Sequence, residues 1–90
     1  MAILIHIPSP LRTITKDGTI EVEGKTLEEC INDLDKKFNG IKKRLINDDG
    51  EVNNFLNFYI NGDDIRHSTG LKTKIEAGSY IDIVPAIAGG

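Results

Sequence analysis

Only one stretch of this chain, Thr26 to Phe38, carries a helical period long enough for a full helix. Leu27, Cys30, Ile31, Leu34 and Phe38 recur at helical spacing on one face, with Glu28, Asp33 and Lys37 off it. Thr26 with Glu29 three residues on is the signature of a capping box, and Asn39-Gly40 supplies a left-handed stop. One helix with one apolar stripe cannot enclose a core alone. It must lie on a sheet, so most of the remaining chain has to be strand.

The flanking segments carry the strand period. Ile3, Ile5 and Ile7 alternate with Ala2, Leu4 and His6, which predicts a strand with the isoleucines inward. Pro8 and Pro10 end it, because neither can donate to a ladder. Asp17-Gly18 is a turn and Thr19 to Val22 a second strand, giving an opening hairpin with a wide loop. After the helix, Ile41 to Ile46 offers one more helical turn, and Asn47-Asp48-Asp49-Gly50 a solvated loop. Asn54 to Ile60 reads as the third strand, with Leu56, Phe58 and Ile60 inward and Phe55, Asn57 and Tyr59 outward. Asn61-Gly62 predicts a type I′ turn into a short fourth strand around Ile65. His67 to Gly70 turns away, Leu71 to Ile75 crosses back, and Ala77-Gly78 turns again. Tyr80 to Val84 is the last strand, with Ile81 and Ile83 inward. The expected class is α+β: a mixed sheet of four to five strands, the first and last strands side by side in its centre, and one main helix on one face.

Ninety residues make one domain with a modest core and little material for a deep catalytic cleft. A net charge of −3 without a basic, aromatic-interleaved stripe argues against nucleic acid as a partner. No apolar run approaches membrane-span length, and the first residues lack the basic start and cleavage site of a signal peptide. One cysteine forms no internal disulfide, so the expected location is the cytoplasm.

The chain closes with Pro85-Ala86-Ile87-Ala88-Gly89-Gly90, small residues with no charge but the terminal carboxylate. Disordered ends are usually polar, and this one instead has the form of a thin thread. Pro85 fixes φ near the exit, Ala86 and Ala88 keep the thread narrow, and Ile87 is its one bulky residue. Glycine lets a channel wall approach the backbone closely at Gly89 and Gly90. Five residues follow Pro85, a reach of about 17 Å at about 3.4 Å per residue. The tail is expected to be flexible, since it has few side chains to pack.

The element order, the Asn-Gly hairpin and this ending together resemble the ubiquitin-like β-grasp sulfur carriers. That family includes the small subunit of molybdopterin synthase, the thiamine-pathway carrier and the carrier that feeds a cysteine synthase. The resemblance covers essentially the whole chain. It is most specific in Phe55 to Asn61, Asp64-Ile65-Arg66, Gly70-Leu71 and Ile83 to Gly90. Within the family the chain is most similar to the cysteine-biosynthesis carriers, whose ends are of the Pro-Ala-Val-Ala-Gly-Gly type. Ala86 departs from the Pro-Pro ending of molybdopterin synthase subunits, and the length exceeds that of the thiamine carriers.

The resemblance implies that residues 1–84 form the β-grasp domain and 85–90 the tail. It implies that an E1-like partner uses ATP to make an acyl-adenylate at Gly90, which a sulfur donor converts to a thiocarboxylate. An acceptor enzyme, such as a cysteine synthase or the molybdopterin synthase large subunit, then takes the sulfur. On this reading the protein is a cosubstrate with no catalytic residue, no metal and no bound cofactor of its own. The sheet face opposite the helix would present Leu4, His6, Tyr59, Tyr80 and Val84 to partners. A modifier joined to target lysines through Gly90 is the rival reading, and a plain β-grasp binding module is a third. Cys30 reads as a small core hydrophobe, and His6 and His67 as surface residues without a metal-ligand cluster. Asn47 to Glu51 lacks the full ligand set of a calcium loop, and Asp63 and Asp64 read as solvated hairpin residues. Arg66 is left with two openings, a partner carboxylate or the nearby aspartates.

Overall fold

A computed structural model describes residues 2–53, 55–65 and 70–85. The helix forms where the period places it, as α2 (Leu27–Lys37). Thr26 Oγ1 accepts the backbone N–H of Glu29 at 3.2 Å. The Glu29 carboxylate accepts the N–H of Lys25 at 3.1 Å, one residue further back than a standard capping box reaches. Leu27, Cys30, Ile31 and Leu34 are buried, and Phe38 packs half-buried against the core from the C-cap position. Beyond it, one oxygen of Asp35 accepts the N–H groups of Gly40 and Lys42, each at 3.1 Å. That carboxylate closes the turn into a second short helix, α3 (Lys42–Leu45).

The strands are β1 (Ile3–His6), β2 (Thr19–Val22), β3 (Leu56–Ile60), β4 (Asp63–Asp64) and β5 (Tyr80–Pro85). They form one mixed sheet in the order β2-β1-β5-β3-β4. The first and last strands are central and parallel, with Ile5 beside Ile81 and His6 beside Asp82. β5 is antiparallel to β3, with Phe58 beside Ile83. The expected α+β arrangement is therefore the observed one, a five-stranded sheet with α2 on one face.

The core lies between them. Ile5, Val22, Phe58, Ile81 and Ile83 from the sheet, with Ile7 just past β1, meet Leu27, Ile31 and Leu34 from α2, all at least 99% buried. Burying each such side chain is worth about 2 kcal/mol, offset mostly by lost chain entropy. The segment after β4 also fastens the helix. Leu27 N–H donates to Thr73 O, Ile75 N–H donates to Lys25 O, and Thr26 bridges Lys74.

Four details differ from the sequence reading. β3 starts at Leu56, so Phe55 stands in a turn before the strand instead of on its outward face. The wide loop between β1 and β2 holds a 3₁₀ turn (Ser9–Leu11) and a one-turn helix, α1 (Arg12–Thr15). Pro10 holds the second position of the 3₁₀ turn with its preset φ, and Lys16 caps the end of α1 at a φ of 67°. The fourth strand is Asp63–Asp64, and Ile65 lies just past it, turned into the core. β5 runs to Pro85 opposite Leu56, one residue further than Val84, because a proline fits a ladder at a strand's end. The type I′ turn is as expected, with φ positive at both Asn61 (51°) and Gly62 (92°). Most of the turn placed at His67 to Gly70, and Arg66, lie outside the described residues.

Candidate functional site

Pro85 is the last described residue, at the end of the sheet's central strand. β5 is held on one side by β1 and on the other by β3. A strand gripped on both edges gives whatever follows it a fixed point of departure. The tail residues proposed from the sequence, Ala86, Ile87, Ala88, Gly89 and Gly90, lie outside the described residues.

The sheet face away from α2 is built by strand alternation. Leu4 and Tyr80 are direct neighbours in the β1–β5 register, 39% and 40% exposed. Val84, 37% exposed, sits beside Asn57, and half-buried Tyr59 lies between Asp82 and Asp64. His6 is half-buried on the same face. The five residues proposed for docking thus share one surface, on which Leu4 and Tyr80 lie beside Glu21, Tyr59 lies beside Asp64, and the His6–Asp82 pair sits in the middle on the central strands.

The sequence reading missed what His6 does. Its Nδ1 lies 2.9 Å from Asp82 Oδ1, and its Nε2 lies 3.1 Å from a terminal nitrogen of Arg12. A guanidinium can only donate, so Nε2 accepts and Nδ1 carries the proton donated to Asp82. Arg12 Nε also donates to Ile7 O at 2.9 Å. The chain Arg12–His6–Asp82 ties the β1–β2 connection to β5 three residues before Pro85, beside a shallow groove lined by Pro8, Ser9 and Val84. Asp82 was findable by alternation, since it lies two residues from both Tyr80 and Val84. Arg12 was not, because nothing local in the sequence folds that loop over the strand.

Among the described residues there is no group of three His, Cys, Asp or Glu side chains placed to hold a metal ion. Cys30 is fully buried, and burial, then the Asp33 and Glu29 charges, push its thiol up from 9.0 to about 11. Such a thiol is a poor nucleophile at neutral pH, as expected of a core residue. The open sheet face lies beside the last described residue of the chain, Pro85.

Comparison with known proteins agrees with this geometry. A model of the ThiS family matches residues 5–90. The sulfur carrier protein CysO of Mycobacterium tuberculosis is 38% identical over 93 residues, spanning all of both chains. A chain in the crystal structure of the Amycolatopsis orientalis BexX/CysO complex superposes with a TM-score of 0.92 at 38% identity, covering 99% of this chain and 100% of that one. The small archaeal modifier protein 3 of Haloferax volcanii is 32% identical over 65 residues, 72% of this chain and 70% of its own. Whole-length likeness, the mixed sheet with its single main helix and the position of Pro85 lead to one assignment: the chain belongs to the ThiS family of ubiquitin-like β-grasp sulfur carriers.

Proposed function

We propose that this protein carries sulfur as a thiocarboxylate at Gly90. An E1-like enzyme docks on the open sheet face, and the Gly90 carboxylate attacks the α-phosphate of ATP to give the acyl-adenylate as pyrophosphate leaves. A sulfur donor attacks the acyl carbon and AMP leaves. The resulting thiocarboxylate, anionic at neutral pH, is then delivered within an acceptor enzyme of cysteine or molybdenum-cofactor biosynthesis. The observation that carries this reading is the whole-length likeness to CysO carriers. Cysteine biosynthesis fits the CysO likeness and the Pro85-Ala86 ending better than the molybdopterin branch. The chain up to Pro85, the end of β5, serves as the docking body, 86–90 as the thread, and the cytoplasm is the proposed location.

The test is an intact mass spectrum after incubation with a matching E1-like enzyme, ATP and sulfide. The expected result is one oxygen-to-sulfur exchange on the Gly89-Gly90 peptide. An unchanged mass beside a demonstrably active partner would sink the proposal. A second reading, a modifier joined to lysines through Gly90, is favoured by the likeness to an archaeal modifier protein. Isopeptide conjugates ending in Gly90 in cell extract, with no free thiocarboxylate, would select it.

A further inference from the structure

A second surface flanks Pro85, away from the open sheet face and with the opposite charge. Pro8, Leu11, Lys43, Arg44, Phe55 and Pro85 line a groove of about 280 Å³ with no acidic residue in its wall. Phe55 is 63% exposed, the most exposed of the large apolar residues described. Its backbone is nevertheless fastened. Asn53 Oδ1 accepts the Phe55 N–H at 2.8 Å, Asn53 Nδ2 donates to Arg44 O at 3.0 Å, and Asn53 N–H donates to Leu45 O at 2.9 Å. One asparagine thus holds the aromatic ring's attachment point and the end of α3 in register. Lys43 and Arg44 are exposed, and neither side chain makes an ion pair or hydrogen bond among the described residues. Two unpaired cations beside a held, exposed aromatic stand out in a chain of net charge −3.

We propose that this groove docks an acidic peptide segment of a partner protein, its carboxylates against Lys43 and Arg44 and one apolar side chain against Phe55 and Leu11. Charge complementarity selects the occupant, since the groove is cationic while the open face carries Glu21, Asp64 and Asp82. Adjacency to Pro85 makes the groove continuous with the root of the tail, so one partner can grip both sides of the exit. The proposal is independent of whether Gly90 carries sulfur or joins lysines.

The test is amide NMR of the full-length protein titrated with the capped peptide acetyl-Glu-Glu-Leu-Glu-Glu-amide. The expected result is saturable shifts at Lys43, Arg44 and Phe55, with Leu4 and Tyr80 unmoved, weakening as salt rises. The double variant Lys43→Glu/Arg44→Glu is expected to bind at least tenfold more weakly, its own spectrum reporting the intact fold. No saturable shifts, equal binding of the lysine counterpart peptide, or shifts centred on Leu4 and Tyr80 would overturn the proposal. So would a tighter response once residues 86–90 are removed, which assigns the groove to the chain's own tail, or a concentration-dependent dimer, which assigns it to a second copy.

Discussion

Cys30 has no exposed surface, and its thiol is raised from 9.0 to about 11. The folded chain therefore keeps a proton that the unfolded chain releases near pH 9. The stability supplied by this group is full below about pH 9 and is lost as pH rises toward 11. Melting temperature is expected to fall across that window, and to fall less in Cys30→Ala; equal slopes would refute the burial account. Asp33 works in the other direction. The Glu23 N–H, at 2.9 Å, and then the Lys37 ammonium hold its carboxyl below its ordinary 3.8. Its stabilisation is present above that value and is lost as pH falls through the lowered one. Asp33→Asn is expected to cost about 1 kcal/mol at neutral pH, a charged hydrogen bond discounted for exposure, with the difference closing at a pH acid enough to protonate the carboxylate in the folded chain. Urea unfolding at the two pH values measures it, and a constant difference would contradict the assignment. At this scale the sequence already showed Cys30 as core. It showed nothing of Glu23 with Asp33, because that bond exists only once β2 and α2 lie together.

Among the elements, α2 and the long strands were legible because each repeats a period over several residues: Leu27, Cys30, Ile31 and Leu34 in one, Ile3 and Ile5 or Ile81 and Ile83 in the others. α1 was not legible, since four residues have no period and its stability comes from Pro10 and the loop around it. The join between β2 and α2 depends on Gly24. A Cβ there would stand 2.7 Å from the Cys30 backbone nitrogen and 2.9 Å from Glu29. The obstruction is the helix's own backbone, which cannot swing aside. Gly24→Ala is expected to lower stability by about 1–3 kcal/mol. Denaturant unfolding reads this directly, and an unchanged midpoint would mean the join is looser than the structure has it.

For the whole molecule, the decisive pairing is β1 with β5, which joins residues 76 positions apart, as in the His6–Asp82 bond. It places the tail's root in the middle of the sheet and leaves one face uncovered. Exposed residues on that face contribute little to the core, so Leu4→Asp with Tyr80→Asp is expected to leave melting within a few degrees of the parent. The same pair of changes is expected to lower kcat/KM for thiocarboxylate formation with an E1-like enzyme at least tenfold. Unaltered kinetics would remove the face from the docking account while leaving Gly90 chemistry standing.

Along the chain, local physics was enough for the strand phases, the capped helix and the Asn61-Gly62 turn. Each depends on neighbours within a few residues, where side-chain period and backbone preference act directly. Contact between distant segments decided the rest: Arg12 over His6, His6 against Asp82, Asn53 between α3 and β3, and the cationic groove under Phe55. These partners are brought together by burial of the common core, which is non-directional, so no local pattern announces which polar groups will meet at its edge.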